Sequence, residues 1–331
     1  MMSGLLTVGI FFNIYYQYSM EKDYLSEFAD RGKAMETLES GTDLAVLDSE
    51  DTSVYRYDQL DALSCENSSM HMGTNSTSYY FSVASGNIGE FFDEMYLNTP
   101  WEQHYENLDG RTILDRLASV KYFVVKNNRY QYVPYGYYWL EGSAEKNGKI
   151  YEAFGSEEAL PLGYTYDSFI PGEEYEKMTV TEKQQALLQG IVLEDSSLPE
   201  ITPEFNDQEI PYEIRKGKGC SVKDGKIKVT KEGAKLELLF NGLENSETYL
   251  IAEGLDYDGL SPKDRVSEKK WNKMTRYEQN QLLHEDSHWR YWKESQKASI
   301  TVGGQFPEKT IRIFTDKYNA YSGKHNFLCN T

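Results

Sequence analysis

The sequence predicts an α+β fold: an N-terminal membrane-like helix, then a mixed α/β layer, then an antiparallel β-sandwich with a helical insertion. Three observations carry this. An apolar run opens the chain, an amphipathic helix pattern leads directly into a buried-strand pattern near residue 120, and short strand-like runs separated by polar turns recur beyond residue 210. The chain has 331 residues, enough for about two domains of roughly 100–200 residues. We divide it into 1–40, the end of a membrane helix plus a connecting helix; 41–200, an α/β domain; and 201–331, the sandwich, with its insertion at 261–296.

The apolar run is Leu5–Tyr16, with no Lys or Arg before Lys22. It lacks the basic start and small-residue cleavage site of a secretory signal, and it is shorter than the ~20 apolar residues of a full membrane span. It reads as the outer half of a membrane helix, with Tyr15, Tyr16 and Tyr18 as an interfacial belt. An amphipathic or buried helix of a soluble protein fits the same residues. Few cations follow among many acids, which favours the extracytoplasmic side for what comes next. Helical spacing continues through Met20–Leu38.

Asp43–Leu47 and Val54–Asp58 read as strands, 61–77 as a polar loop, and Ser78–Val83 as extended. Gly89–Leu97 places Phe91, Phe92, Met95 and Tyr96 at helical spacing. Asp109 is positioned as N-cap for a helix over Arg111–Ala118, whose Ile113, Leu114 and Leu117 share a face. Val120–Val125 is the clearest buried strand and Ile150–Phe154 another. Thr181–Gln189 is a short helix capped by Thr179 or Thr181. Three prolines in 196–211 mark a linker. Strand runs then follow at Tyr212–Arg215, Lys226–Thr230, Lys235–Phe240, Thr248–Ala252, Ala298–Val302 and Thr310–Phe314.

Composition narrows the function. With 34 Lys+Arg against 53 Asp+Glu, the net charge of −19 argues against nucleic acid as a partner, because neutralising phosphates takes a basic face. Cys65, Cys220 and Cys329 are odd in number and form no CxxC, so neither a disulfide framework nor a zinc knuckle is expected. GxGxxG, GxxxxGK and GxSxG are all missing, so no nucleotide cofactor and no serine-hydrolase chemistry is expected. The 27 Tyr, 14 Phe and 5 Trp stand out. Rings with a polar edge suit wet interfaces and sugar faces, and they equally suit the strands of a β-rich core.

Four local patterns bear on chemistry. His284-Glu285-Asp286-Ser287-His288 is a literal HExxH, in which His284 and His288 would ligate zinc, Glu285 would act as base and Glu294 would be the third ligand. Asp286 and Ser287 are polar where a metalloprotease helix packs, so a solvated helix without metal is the expectation. Asp256–Gly259 echoes the start of a calcium loop without its later ligands and reads as a turn. Asp48, Glu50 and Asp51 read as solvated acids. Asn67-Ser68-Ser69 and Asn75-Ser76-Thr77 have the form of glycosylation sequons.

The order of several pieces carries a family resemblance. Val54-Tyr55-Arg56-Tyr57-Asp58 is followed by Asn67-Ser68-Ser69 and then by the run from Gly73 to Val83. Next come the Phe91-Phe92 helix, Leu108-Asp109-Gly110-Arg111 and Val120-Lys121-Tyr122-Phe123-Val124. Ser322–Leu328 stands near the end. This series resembles the extracytoplasmic region of YfhO-like bacterial membrane proteins. The resemblance implies a multi-pass, GT-C-type glycosyltransferase that draws on a lipid-linked sugar and modifies envelope polymers such as teichoic acids. It also implies that the catalytic acid lies upstream of these residues and that this chain is a fragment, so no catalytic residue is carried over.

On that basis the chain is expected to be a non-catalytic outer segment at the bacterial plasma membrane. Its partners would be a cell-envelope glycan or polymer and its own membrane domain. The sandwich would be similar to a carbohydrate-binding module. Candidate stacking residues are Tyr79, Tyr80, Trp101, Tyr105, Tyr135, Tyr137, Tyr138 and Trp139. The alternatives are a zinc hydrolase centred on the HExxH and a purely structural envelope domain.

Overall fold

The computed structural model describes residues 7–11, 50–59, 67, 69–70, 73–97, 104–105, 107–146, 148–231, 233–254, 266–285, 298–303, 308–313 and 327–330. In chain order the first half contains β1 (Arg56–Gln59), β2 (Tyr79–Tyr80), α1 (Gly86–Glu94), β3 (His104–Tyr105), α2 (Thr112–Leu117) and β4 (Val120–Lys126). After these come β5 (Tyr138–Trp139), β6 (Ala144–Lys146), β7 (Lys149–Gly155), β8 (Phe169–Pro171), α3 (Gly172–Tyr175), α4 (Val180–Ala186) and β9 (Ile191–Leu193). The fold is mixed α+β.

The principal sheet runs β1-β4-β7-β5, with β6 also on β7. β4 pairs parallel with β1 and antiparallel with β7, so the VKYFVV run is interior, as its apolar character requires. Alternation along the strand divides its side chains between two faces. Tyr122 and Val124 join Tyr57, Tyr151 and Ala153 on one, while Phe123 and Val125 join Tyr137 and Phe154 on the other. A third core lies where α1, α2, β8 and α4 meet, around Phe92, Met95, Leu114, Ile170 and Ala186.

Two helix starts show how local sequence and tertiary contact share the work. Helix α4 opens with a full capping box: the Glu182 backbone N–H donates to the Thr179 hydroxyl, and the Thr179 N–H donates to the Glu182 carboxylate. Helix α2 departs from expectation. Asp109 does not cap it; Asp109 and Gly110 both sit at positive φ (58° and 61°) and turn the chain into the helix. Arg111 occupies the N-cap position without a side-chain cap. The Thr112 N–H donates instead to the Glu247 carboxylate, 3.4 Å away and 135 residues on.

The proline-containing stretch after residue 196 is held against the first half. Ile201 N–H donates to the Phe169 carbonyl, and Asp207 accepts from Thr181 and Gln185 on α4. Asp51 is not a solvated acid either: Lys121 Nζ (2.5 Å), Tyr122 Oη (2.7 Å) and the Ser53 N–H (2.8 Å) all bond its carboxylate. Burial would raise its pKa, but these bonds together hold it well below the usual carboxylate range.

The second half contains β10 (Tyr212–Lys216), β11 (Cys220–Lys223), β12 (Lys226–Val229), β13 (Leu236–Phe240) and β14 (Tyr249–Ala252). Helices α5 (Glu268–Trp271) and α6 (Arg276–Glu285) lie in the insertion, followed by β15 (Ala298–Val302), β16 (Lys309–Ile313) and β17 (Phe327–Asn330). Antiparallel pairing is present here as four separate two-stranded ladders among the described residues: β10–β13, β11–β12, β14–β17 and β15–β16. This half touches the first at Tyr96 Oη–Glu253 (3.0 Å) and at Tyr132 Oη–Thr310 O (3.1 Å).

Residues 7–11 are helical, with Val8, Ile10 and Phe11 exposed. No helix among the described residues is long and apolar enough to cross a membrane. The remainder of Leu5–Tyr16, the belt tyrosines and the Asp43–Leu47 strand lie outside the described residues.

Candidate functional site

The aromatic residues singled out for sugar stacking separate by burial. Tyr105 is in the core, stacked on the half-buried Tyr79 (centroids 4.9 Å apart) and met edge-on by Phe92 (4.8 Å). Tyr137 is buried against Phe123, and its hydroxyl donates to the Val120 carbonyl at 2.6 Å. These three rings pack the fold. Trp101 lies outside the described residues. The exposed members are Tyr80, Tyr135, Tyr138 and Trp139. Tyr80 is on β2, attached to the β1 side of the sheet through the Tyr57–Ser76 bridge, so it belongs to the opposite margin from the other three.

Tyr135, Tyr138 and Trp139 therefore form the candidate site. They are 46%, 48% and 52% exposed and lie on β5 and the turn before it, at the open edge of the principal sheet. The sequence produces this rim through its turn. Pro134 is buried, Gly136 takes φ 80°, and the chain then enters a two-residue strand paired to Phe154 and Gly155 of β7. Neighbouring strand residues face opposite ways, so Tyr138 and Trp139 flank the edge from its two sides. Gly155 seats the first ring: a Cβ there would lie 3.4 Å from Tyr138 Cζ and 3.2 Å from Leu140 Cδ2. Flat apolar faces with polar edges, held at a sheet edge and open to water, suit the C–H faces and hydroxyls of a sugar.

Beneath α2 lies a buried polar centre that no sequence pattern announced. Arg111 is fully buried; its Nε and Nη2 donate to Gln184 Oε1 (3.1 and 2.7 Å) and its Nη1 to the Met95 carbonyl. Asp58 accepts from Ser76 Oγ (3.0 Å), the Thr77 N–H (3.1 Å) and the Thr77 hydroxyl. Burial nevertheless raises its pKa to about 6, against the lowering pull of those bonds. Asp115 is fully buried and neither carboxyl oxygen has a hydrogen-bond partner. Burial first, then the charges of Asp58, Glu247 and Asp109, push its pKa well above the ordinary value. This centre ties α1, α2 and α4 to the 247–249 segment, and the full burial of Asp58, Arg111 and Asp115 makes it an internal joint.

The HExxH is only partly placed. Helix α6 carries His284 and Glu285 within its described span Arg276–Glu285, while His288 and Glu294 lie outside the described residues. Among the described residues no group of three or more His, Cys, Asp or Glu side chains is arranged to hold a metal. The sequons are structural where described: the Asn67 amide brackets the Tyr80 backbone (2.9 and 3.1 Å) and Asn75 Nδ2 donates to the Tyr55 carbonyl.

Comparison with known proteins gives a consistent result. The model of the family described as "Bacterial membrane protein YfhO" matches residues 1–326. A Bacillus subtilis (strain 168) protein described as "Uncharacterized protein YfhO" is 26% identical over 183 residues, covering 54% of this chain and 20% of that protein. The chain thus matches about one fifth of that relative's length. No solved structure matches.

Proposed function

The chain belongs to the YfhO family of bacterial membrane proteins, and from that premise we propose that it is the extracytoplasmic, non-catalytic part of a glycosyltransferase-like envelope protein. In this reading residues 1–40 end a membrane helix and lead into the outer segment. The ladders of 212–330 belong to a sandwich similar to a carbohydrate-binding module, and the protein modifies an envelope polymer such as teichoic acid. The observation that supports a holding role is the exposed rim of Tyr135, Tyr138 and Trp139 at the open edge of the principal sheet. An acceptor glycan laid along this edge keeps its sugar faces against the rings while chemistry proceeds in the membrane part.

The test is made in cells with the full-length protein. Tyr138→Ala/Trp139→Ala should lower glycosylation of the envelope polymer while the amount of protein in the membrane stays the same. Truncating a well-used aromatic contact costs about 1–2 kcal/mol, so the pair should reduce acceptor affinity by roughly tenfold or more. Unchanged glycosylation at normal protein levels would remove the rim from the mechanism and leave a structural envelope domain as the better description.

A further inference from the structure

We propose that the β11–β12 hairpin is a membrane-contacting element: an amphipathic, basic ribbon that rests on an anionic lipid surface. The inference is independent of the glycan reading and rests on charge, exposure and register. Between residues 215 and 235 the sequence carries eight Lys or Arg and two acids, in a chain whose total is 34 basic against 53 acidic. The whole-chain balance conceals this local reversal of sign.

The register sorts the hairpin into two faces. Cys220 pairs with Val229 and Val222 with Ile227, while Ser221 pairs with Lys228 and Lys223 with Lys226. Side chains of directly paired residues lie on the same face, so one face is Cys220, Val222, Ile227 and Val229, and the other carries Lys223, Lys226 and Lys228. Ile227 and Val229 are 52% and 65% exposed, and the three lysines are exposed as well. Among the described residues none of these lysines forms an ion pair; the pairs belong to Arg116, Lys121, Lys177, Lys183 and Arg215. The hairpin closes through Asp224 and Gly225 at φ 51° and 72°, the left-handed two-residue turn that matches strand twist.

The ribbon also has reach. It continues the β10–β13 ladder, with the Gly217 N–H on the Lys235 carbonyl (3.1 Å) and the Thr230 N–H on the Gly219 carbonyl (2.8 Å) linking the two. Thirteen residues from Tyr212 to Asp224, at ~3.3 Å each, span up to about 40 Å. That exceeds the ~10 Å screening length at moderate salt, so the tip acts as a local cation despite the acidic body. A soluble polyanion would satisfy the lysines and leave Ile227 and Val229 in water. A bilayer of a membrane protein's own host takes both: headgroups meet the ammonium groups on their flexible stems, and the apolar pair enters the interface.

The experiment uses the 331-residue chain and sedimentation with phosphatidylglycerol-containing vesicles, phosphatidylcholine vesicles and, separately, a soluble poly(glycerol phosphate). Binding should favour anionic vesicles and weaken as salt rises. Lys226→Glu/Lys228→Glu should reduce it by about tenfold or more, and Ile227→Ser/Val229→Ser should reduce it as well. Lys269→Glu/Lys270→Glu on exposed α5 changes net charge equally and should leave binding as it was. Circular dichroism of each variant confirms that the fold is kept, and the salt series on the unaltered chain gives the same answer without mutation. Equal binding to neutral and anionic vesicles would overturn the proposal. So would insensitivity to the hairpin substitutions, or loss of poly(glycerol phosphate) binding alone. None of these outcomes bears on sugar stacking at Tyr138 and Trp139.

Discussion

Asp115 has two carboxyl oxygens without hydrogen-bond partners in a place sealed from solvent, with Asp58 contributing a second buried carboxyl nearby. Both have folded-state pKa values above the unfolded one, so the folded state holds their protons more tightly. Their contribution to stability is complete below about pH 4 and is lost as pH rises through the folded values. For Asp58 the window is from the ordinary 3.8 to about 6, a loss on the order of 3 kcal/mol. Urea unfolding as a function of pH should show stability falling across this range, and Asp58→Asn should flatten the fall. Asp115→Asn should be more stable than the parent at pH 8 by at least about 1 kcal/mol and no more stable at pH 3. A parent stability that rises between pH 4 and 6 would contradict the assignment. Arg111 is the counterpart: removing its bonds to Gln184 and Met95 leaves three elements unjoined, so Arg111→Ala should cost about 3–5 kcal/mol.

Elements were legible in the sequence where a local rule was enough. The VKYFVV run, five apolar residues of six behind an amphipathic helix, is the interior strand its pattern demands. Thr179 and Glu182 spell a capping box, and Thr179→Ala should destabilise the protein by about 1 kcal/mol in denaturant titration. Elsewhere the deciding partner is distant. The start of α2 is capped by Glu247, 135 residues away, a contact no local reading finds; Glu247→Ala should weaken both the helix and its hold on the second half. In the tyrosine-rich 130–140 stretch Tyr137 packs against Phe123, while Tyr138 and Trp139 stay exposed on the two sides of the edge. The sequence showed the ring content but not which rings would be free, because β5 is only two residues long. The total charge hides the eight Lys or Arg of 215–235, and only the register separates the hairpin's lysines from Ile227 and Val229.

At the scale of the molecule, one α+β layer with two packed faces presents an aromatic rim at its open edge, and a second half of paired strands is fastened to it by Glu247, Glu253 and Thr310. Membership of the YfhO family gives this arrangement a membrane context; the rim gives it a reason to carry exposed rings. Gly155 links fold and site, since it leaves room for Tyr138. Gly155→Val should displace that ring while β7 still forms, lowering glycan affinity more than stability. The most direct test of the central claim is calorimetric titration of the 331-residue chain with purified envelope glycopolymer, comparing the parent, Tyr138→Ala/Trp139→Ala and the core control Tyr105→Phe. The account predicts saturable binding by the parent and the control, and an affinity lower by roughly tenfold or more for the rim variant. Equal affinity for all three, or no binding by the parent, would contradict it.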